Sequence, residues 1–404
     1  MQECSEEVHL EGHLIDSLVL AKILDKIVEL GGDFEILDFV IGKTNKDQSR
    51  ARILIKAGSK PALEQVLEAV KKLGVMHEEE RDVALEPAPG DTILPKNFYS
   101  TTNHPTLIRL GGKWVEVKDP RMDCVIVVEN TMQGKARTKK IKDVRNGDLI
   151  VVRSGGVRVL PPQRPRERSK VFDFMVSKIS SEKPSETTIK KIAEEIARLK
   201  GKIAVVAGPA IVHTGGVDHL VTLIKKGYVN ALLAGNALAV HDIEHALFGT
   251  SLGISIETGE SMEGGHRNHL RAINAIRGAG SIRGAITSGI LTKGIMHACI
   301  EHGVPFVLAG SIRDDGPLPE VVTDVLQAQD QMAELLRPAE MVLLLASTLH
   351  AIAAGNLLPS SVKTVCVDIN PAVVTKLIDR GSAQAIGIVE DVGLFLAKLR
   401  EFLP

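Results

Sequence analysis

From residue 203 onward the chain alternates apolar runs with helical stretches, and this alternation restricts the possible fold more than any other feature. The runs are Ile203–Ala207, Ala231–Ala234, Phe306–Leu308, Met341–Ala346, Thr364–Val367 and Ala385–Val389. They are short enough for strands and apolar almost throughout, so both of their faces must be buried. Helical patterns separate most of them. Strands alternating with helices predict a mostly parallel, doubly wound sheet covered on both sides. In such sheets ligands bind just beyond the carboxyl ends of the strands, so the residues at the end of each run are the ones to inspect for chemistry.

Nearly every run ends in small or polar residues. The first gives Gly208-Pro209-Ala210 and then His213-Thr214-Gly215-Gly216, and the second gives Gly235-Asn236-Ala237. Later corners are Gly310-Ser311-Ile312-Arg313-Asp314-Asp315-Gly316, Ser347-Thr348-Leu349-His350, Asp368-Ile369-Asn370-Pro371 and Glu390-Asp391-Val392-Gly393. Glycine at such corners lets backbone N–H groups approach a phosphate, and the helix start behind each corner carries partial positive charge. Short βα loops also favour these residue types as turns and caps. Asp368 is the sharpest position. At a strand end it can accept hydrogen bonds from an adenosine ribose, and its charge would repel a 2′-phosphate, favouring NAD over NADP. It can equally cap the helix that Pro371 opens. The usual dinucleotide fingerprint is missing: Gly278-Ala279-Gly280-Ser281-Ile282-Arg283-Gly284 has the wrong spacing and reads as a helix–helix turn. A standard P-loop is excluded, since the one GKT, Gly42-Lys43-Thr44, has Leu37 where the motif needs its first glycine.

The 404-residue length calls for two or three domains. Residues 1–80 read as a ferredoxin-like α+β module. Strands are expected at Val8–Glu11, Phe34–Ile41 and Arg50–Ile55, with helices over Ile15–Leu30, closed by Gly31-Gly32, and from Ser59 to Leu73. Residues 81–165 read as a β-rich middle domain punctuated by Gly111-Gly112, Asn146-Gly147 and Ser154-Gly155-Gly156. After the proline-rich stretch Pro161–Arg166, residues 166–404 form the α/β domain, beginning with a helix capped by Ser185.

Several function classes are disfavoured. Net charge is −1 and aromatics are 3%, so neither nucleic acid nor an anionic membrane is an expected partner. The basic runs Lys135–Lys142 and Arg164–Arg168 read as solvated loops. The start, Met1-Gln2-Glu3-Cys4-Ser5-Glu6-Glu7, is acidic and lacks a signal-peptide core. No stretch reaches the roughly 18 apolar residues of a membrane helix. Cys4, Cys124, Cys299 and Cys366 are scattered without CxxC spacing, which argues against disulfides or structural zinc and fits a reducing cytoplasm. His241 and His245, with Glu244 between them, have metal-pair spacing but no third ligand, so no metal is expected and the pair reads as an interface or solvated helix face. Lys293 reads as a surface lysine and Cys299 as core.

Taken together, the motifs resemble a known family. Asn97-Phe98-Tyr99-Ser100-Thr101-Thr102-Asn103-His104-Pro105, with Arg109, Trp114 and Met122-Asp123 after it, resembles the region named after lysine-oxoglutarate reductase/saccharopine dehydrogenase. Ala234-Gly235-Asn236-Ala237, Ser311–Gly316 and Thr348-Leu349-His350 resemble the archaeal-type ornithine cyclodeaminases, which share a C-terminal half with cyanobacterial arginine-degrading enzymes. The resemblance covers nearly the whole chain. It implies a deoxyhypusine-synthase-like NAD site at Asn236, Ala237, Asp315, Ser347, Thr348, Leu349, His350, Asp368, Asp391 and Val392, beside the corner glycines Gly208 and Gly235. It implies conversion of L-ornithine to L-proline and ammonia by a cytoplasmic homo-oligomer. Asp314 or Asp315 is expected as proton shuttle or δ-amine partner, His350 as the second candidate, and Arg109 or Arg313 as the cation for the substrate carboxylate. Another NAD-dependent amino-acid dehydrogenase, or a non-catalytic NAD- and amino-acid-responsive regulator, remains open on the sequence.

Overall fold

The computed structural model describes residues 4–12, 14, 19–42, 47, 49–71, 73–77, 81–130, 134–160, 185–252, 254–255, 267–314, 316–380 and 385–404. The chain divides into two compact units, Met1–Ser169 and Lys170–Pro404.

The first unit holds two sheets. Strands β1 (Cys4–Gly12), β2 (Asp33–Val40), β3 (Ser49–Ala57) and β4 (Met76–His77) pair antiparallel in the order β2-β3-β1-β4. Helices α1 (Val19–Glu29) and α2 (Lys60–Lys71) complete a ferredoxin-like module. Alternation in β3 buries Ala51, Ile53 and Ile55, which pack with Ile23 and Ile27 of α1 and Val66 and Val70 of α2. The second sheet contains β5 (Ala84–Pro87), β6 (Thr106–Leu110), β7 (Lys113–Lys118), β8 (Val125–Asn130), β9 (Lys135–Lys139), β10 (Leu149–Val152) and β11 (Val157–Val159), in the order β11-β6-β7-β9-β8-β10-β5. Gly111 and Gly112 join β6 to β7 with φ of +56° and +78°, the positive pair that a type I′ hairpin turn demands and that side-chain-bearing residues resist. Lys135–Lys139 of the basic run, expected as part of a solvated loop, lies instead in β9, where Ala136 is buried in the sheet's core.

The second unit begins with α3 (Ser185–Arg198) and then builds the parallel sheet. Its elements are β12 (Ile203–Ala207), α4 (Ala210–His213), α5 (Val217–Lys225), β13 (Val229–Gly235) and α6 (Asn236–Phe248). The small hairpin β14 (Thr250–Ser251) and β15 (Ile254–Ser255) comes next, then α7 (Asn268–Gly278), α8 (Ile282–Thr287), α9 (Ile295–Glu301), β16 (Phe306–Ala309), β17 (Val321–Val322) and α10 (Val325–Leu336). The last elements are β18 (Met341–Leu345), α11 (Leu349–Leu357), β19 (Lys363–Asp368), α12 (Pro371–Arg380), β20 (Ala385–Val389) and α13 (Val392–Phe402). Seven strands run in the order β17-β16-β13-β12-β18-β19-β20, and all six pairings are parallel. The alternation predicts burial on both faces, and the packing bears this out. Val205, Leu232, Leu343 and Val365 join one apolar cluster, while Val206, Leu233, Leu344 and Cys366 join the other. Gly278–Gly284 spans the end of α7 and the start of α8, the expected helix–helix turn, with Ser281 Oγ accepting from the Gly284 N–H at 2.8 Å. No helix among the described residues is long and apolar enough to cross a membrane.

Candidate active site

The strand order reverses between β12 and β18: from β12 the chain builds outward to β17, then returns to place β18 on the other side of β12. In doubly wound sheets the loops diverge at such a reversal and ligands bind just beyond the carboxyl ends of the two strands. Gly208 and Ala346 meet there. A Cβ on Gly208 would lie 1.8 Å from the Ala346 carbonyl oxygen, so only glycine lets the two loops meet. Ala346 itself has φ of +47°, a left-handed conformation that costs a side-chain-bearing residue about 1–3 kcal/mol. Its N–H is held by the Val367 carbonyl at 2.8 Å, and the kink turns Ser347-Thr348 into the start of α11.

Helix capping divides the strand-end helices into two groups. At the flanks, side chains occupy the free N–H groups. Asp324 caps α10, Asn370 Oδ1 accepts from Ala372 N in α12, and Asp391 Oδ1 accepts from Leu394 N in α13. At the centre they do not. Helices α4, α6 and α11, which come after β12, β13 and β18, start at Pro209, Gly235 and Thr348 with no side-chain cap. Among the described residues no N-cap side chain occupies the first N–H groups of α6 and α11, the kind of donors that suit an anion beside the reversal point. Next to them, Asp368 Oδ1 accepts from the Asn370 N–H at 2.8 Å, forming a local turn. Asn370, not Asp368, is the cap of α12. The other Asp368 oxygen has no hydrogen-bond partner among the described residues. Leu349, the first residue of α11, and Ile369, within the Asp368–Asn370 turn, are each 74% exposed at these strand ends.

The residues that sequence reasoning singles out sit in varied surroundings at these strand ends. Asn236 is buried, and its Oδ1 accepts from Leu318 N at 3.2 Å, while Ala237 is exposed. Ser347 is buried and Thr348 is exposed. His350 packs against Gly235, where an added Cβ would meet its Cε1 at 2.7 Å. Burial pushes the His350 pKa below the ordinary histidine value, and the Asp314 carboxylate partly offsets this. Asp314 Oδ2 accepts from the Ser311 N–H at 2.8 Å, which folds its loop back on itself. Arg313 is exposed, with no ion-pair partner among the described residues. Val392 is buried in the core and Asp391 is occupied as a cap. Arg109 belongs to the first unit, where its Nη1 lies 3.3 Å from Asp82 Oδ1. Asp315 and the run Arg164–Arg168 lie outside the described residues.

One cluster escapes sequence reasoning. Helix α6 is expected to present His241, Glu244 and His245 at an interface or to solvent. Instead it is packed on nearly every side, and both acids, Asp242 and Glu244, are fully buried. Asp242 accepts from the Ile295 and Met296 N–H groups at 2.8 Å each, capping α9 from a distance. Burial drives its pKa up to about 6 against the pull of those two bonds. Glu244 Oε2 lies 3.0 Å from His241 Nδ1, and Thr250 Oγ1 donates to Glu244 Oε1 at 2.9 Å. The His213 ring meets the His241 ring edge-on at 5.1 Å, and His213 Nδ1 lies 2.6 Å from Ser251 Oγ. Two acids inside an otherwise apolar helix are the signal that could have found it. Among the described residues no group of three or more His, Cys, Asp or Glu side chains could hold a metal ion.

The fold is a doubly wound α/β domain whose strand order reverses between β12 and β18. Comparison with known proteins carries this further. Residues 190–399 match the C-terminal Rossmann-fold region of ArgZ-like arginine dihydrolases, residues 105–189 match the first region of the same C-terminal part, and residues 5–104 match the LOR/SDH bifunctional-enzyme conserved region. The ornithine cyclodeaminase of Methanopyrus kandleri is 54% identical over 99% of this chain and 97% of its own length. Apo ArgZ, an arginine dihydrolase of the cyanobacterial ornithine–ammonia cycle, superposes with a TM-score of 0.87 at 40% identity, over 99% of this chain and 58% of ArgZ. AgrE, solved as a ternary complex with ornithine and NAD+, matches with a TM-score of 0.54 at 43% identity, over 99% of this chain and 57% of AgrE. The chain belongs to the family that comprises the archaeal ornithine cyclodeaminases and the C-terminal part of the ArgZ-like enzymes, and it is an enzyme of that kind.

Proposed function

We propose that the protein converts L-ornithine to L-proline and ammonia with NAD held at the reversal point of the C-terminal sheet. The observation that carries this is the capping pattern: the helix starts beside the reversal are uncapped, whereas those at the flanks are not. The residues fit the cofactor. The donors of α6 and α11 suit a pyrophosphate, Asp368 suits the adenosine ribose, and Leu349 and Ile369 suit the adenine. We assign further cofactor contacts to Gly208, Gly235, Asn236, Ala237, Asp315, Ser347, Thr348, His350, Asp391 and Val392, the last two through the chain entering α13. Bound NAD takes a hydride from the substrate and later returns it, so no oxidant is consumed. The relative AgrE, crystallised with ornithine and NAD+, supports the pairing of these two ligands.

The chain's own groups bind and orient the substrate. Arg109 is engaged by Asp82, so we assign the substrate carboxylate to Arg313. Asp314, beside His350, suits the δ-ammonium group. His350 is held neutral by burial and can accept or donate a hydrogen bond at the reacting end. The reading extends to a cytoplasmic homo-oligomer in proline biosynthesis, with residues 1–80, 81–165 and 166–404 as its domains. The four free cysteines agree with a reducing compartment.

The test incubates the pure protein with NAD+ and L-ornithine while monitoring proline, ammonia and NADH absorbance together. Proline and ammonia in equal amounts without lasting NADH are expected. Lasting NADH without proline would instead establish an amino-acid dehydrogenase, and NAD binding with no product would establish a regulator.

A further inference from the structure

The cluster on α6 has a shape that a structural network does not need. Glu244 is fully buried, and its carboxylate is satisfied by the His241 ring, the Thr250 hydroxyl and the Leu252 N–H at 3.3 Å. Thr250 in turn accepts from Asn268 Nδ2 at 3.0 Å. This would suffice to bury one acid. The chain of contacts nevertheless continues outward. Because His241 Nδ1 faces the carboxylate, it carries the proton, which leaves Nε2 as the acceptor side of that ring. His213 packs edge-on against His241 and ends the series in solvent, its residue exposed and its Nδ1 fixed on Ser251.

The place of this series also matters. His213 closes α4, the short helix that leaves Gly208 at the end of β12. His241 lies five residues into α6, so it stands roughly 8 Å along the axis from the helix start at Asn236. His213 and His241 therefore lie on helices that follow β12, the neighbour of β18, and β13 beyond it, at the same sheet edge as the proposed cofactor site, yet His213 has no part in that site as assigned above. Although the residue as a whole is exposed, the ring is partly buried where it meets Ser251 and His241, and this desolvation, with His241, holds the His213 pKa below the ordinary histidine value against the opposing pull of Glu244. A neutral imidazole on a fixed mount is suited to accept a proton.

We propose that His213 is the proton carrier of the cyclodeamination, and that Ser251, His241 and Glu244 are the positioning residues that aim it. Before its Cα–H bond can break, the substrate α-ammonium must lose a proton. One N–H bond of that ammonium breaks, and an N–H bond forms on the imidazole. The δ-ammonium gives one proton to solvent before its nitrogen attacks the imine carbon and a second after the C–N bond forms. The departing α-nitrogen takes back the imidazole's proton and leaves as ammonia, and the ring nitrogen regains one proton in the product, so His213 ends the cycle as it began. Glu244 stabilises the charged interval through His241 without exchanging a proton with substrate. This inference rests on the ornithine reading above.

The test uses the full chain and the variants His213→Ala, Ser251→Ala and Glu244→Gln. His213 is exposed, so its truncation should leave melting temperature and NAD affinity unchanged. Its kcat on L-ornithine should fall by about 10²- to 10⁴-fold, the usual contribution of a general base, and added imidazole should restore part of the loss. Ser251→Ala and Glu244→Gln should lower kcat with little change in KM. Independently of turnover, L-ornithine added to the NAD-bound protein should shift the ring-nitrogen NMR signals of His213 and leave those of His219 on α5 unmoved. Wild-type turnover with His213→Ala within threefold of it would overturn the proposal alone, as would a loss that imidazole does not restore. Absence of turnover and of any ring shift in the wild type would overturn the ornithine reading and this proposal with it.

Discussion

Replacing Asp368 by Asn separates the cofactor role proposed for that carboxylate from its structural one. In the structure Oδ1 accepts from the Asn370 N–H at 2.8 Å, and Asn370 in turn caps α12 through the Ala372 N–H at 3.0 Å. Asparagine keeps an oxygen in the first position, so the turn and the cap behind it survive and folding stability should change by less than about 0.5 kcal/mol. The second position changes from a charged acceptor to an N–H₂ donor. A hydrogen bond to a charged group is worth about 1.5–3 kcal/mol, and at about 1.4 kcal/mol per decade NAD affinity should weaken about 10- to 150-fold. NADP should lose less or gain, since a negative charge facing its 2′-phosphate has gone. Calorimetric titration of both cofactors, paired with urea denaturation, measures each part. NAD binding equal to wild type would refute the ribose assignment. A large fall in stability together with weaker binding would show that the carboxylate acts mainly through the turn.

Two further outcomes are expected, one from a buried acid outside the proposed site and one from a glycine within it. Asp242 titrates at about 6 when folded, against roughly 3.9 when unfolded. Between these values the folded chain binds one more proton than the unfolded one, so this group's contribution falls as pH rises, by about 3 kcal/mol in all. Asp242→Asn removes that slope: the wild-type-minus-variant stability from denaturant titrations should decrease from pH 4 to pH 7, and a difference flat in pH would refute it. Gly208→Ala places a Cβ 1.8 Å from the Ala346 oxygen, which no rotamer relieves. It should cost roughly 1–3 kcal/mol or more of stability and at least tenfold in NAD affinity, and unchanged binding would remove this contact from the site.

The fold was legible where the chain repeats one physical pattern. Continuous apolar runs marked six of the seven strands of the parallel sheet, because a strand covered on both faces has no polar side to obscure it. The exception, Val321–Val322, is two residues long and lies at the sheet edge, too short for any periodicity. Met76–His77 in the ferredoxin-like module escaped for the same reason. The middle sheet was readable only through its turns. Gly111-Gly112 announces a hairpin by its need for positive φ, whereas Val125–Asn130 carries four buried valine and isoleucine residues and no turn of that kind before it.

The candidate site was legible to the extent that it depends on backbone. Glycine, Asn and Asp at strand ends can be read from the sequence. Which of the Asp residues are occupied as caps cannot, because that depends on whether a neighbour such as Asn370 takes the role first. The buried series from Glu244 to His213 lies further out of reach. His213 and His241 are 28 positions apart, on helices leaving different strands, and no local spacing relates them. What the sequence does contain is a conflict: an apolar helix carrying His241, Asp242, Glu244 and His245 together. Such a helix can be solvated or buried, and the choice depends on whether partners exist for two carboxylates. For Asp242 the partners are the N–H groups that open α9, and for Glu244 they are a histidine, a hydroxyl and a backbone N–H. Local disagreement between apolar patterning and charge is therefore the feature to pursue in such a helix. An acid there must recruit partners from elsewhere in the chain, and where the recruited series ends in solvent, as it does at His213, it can act on something that binds.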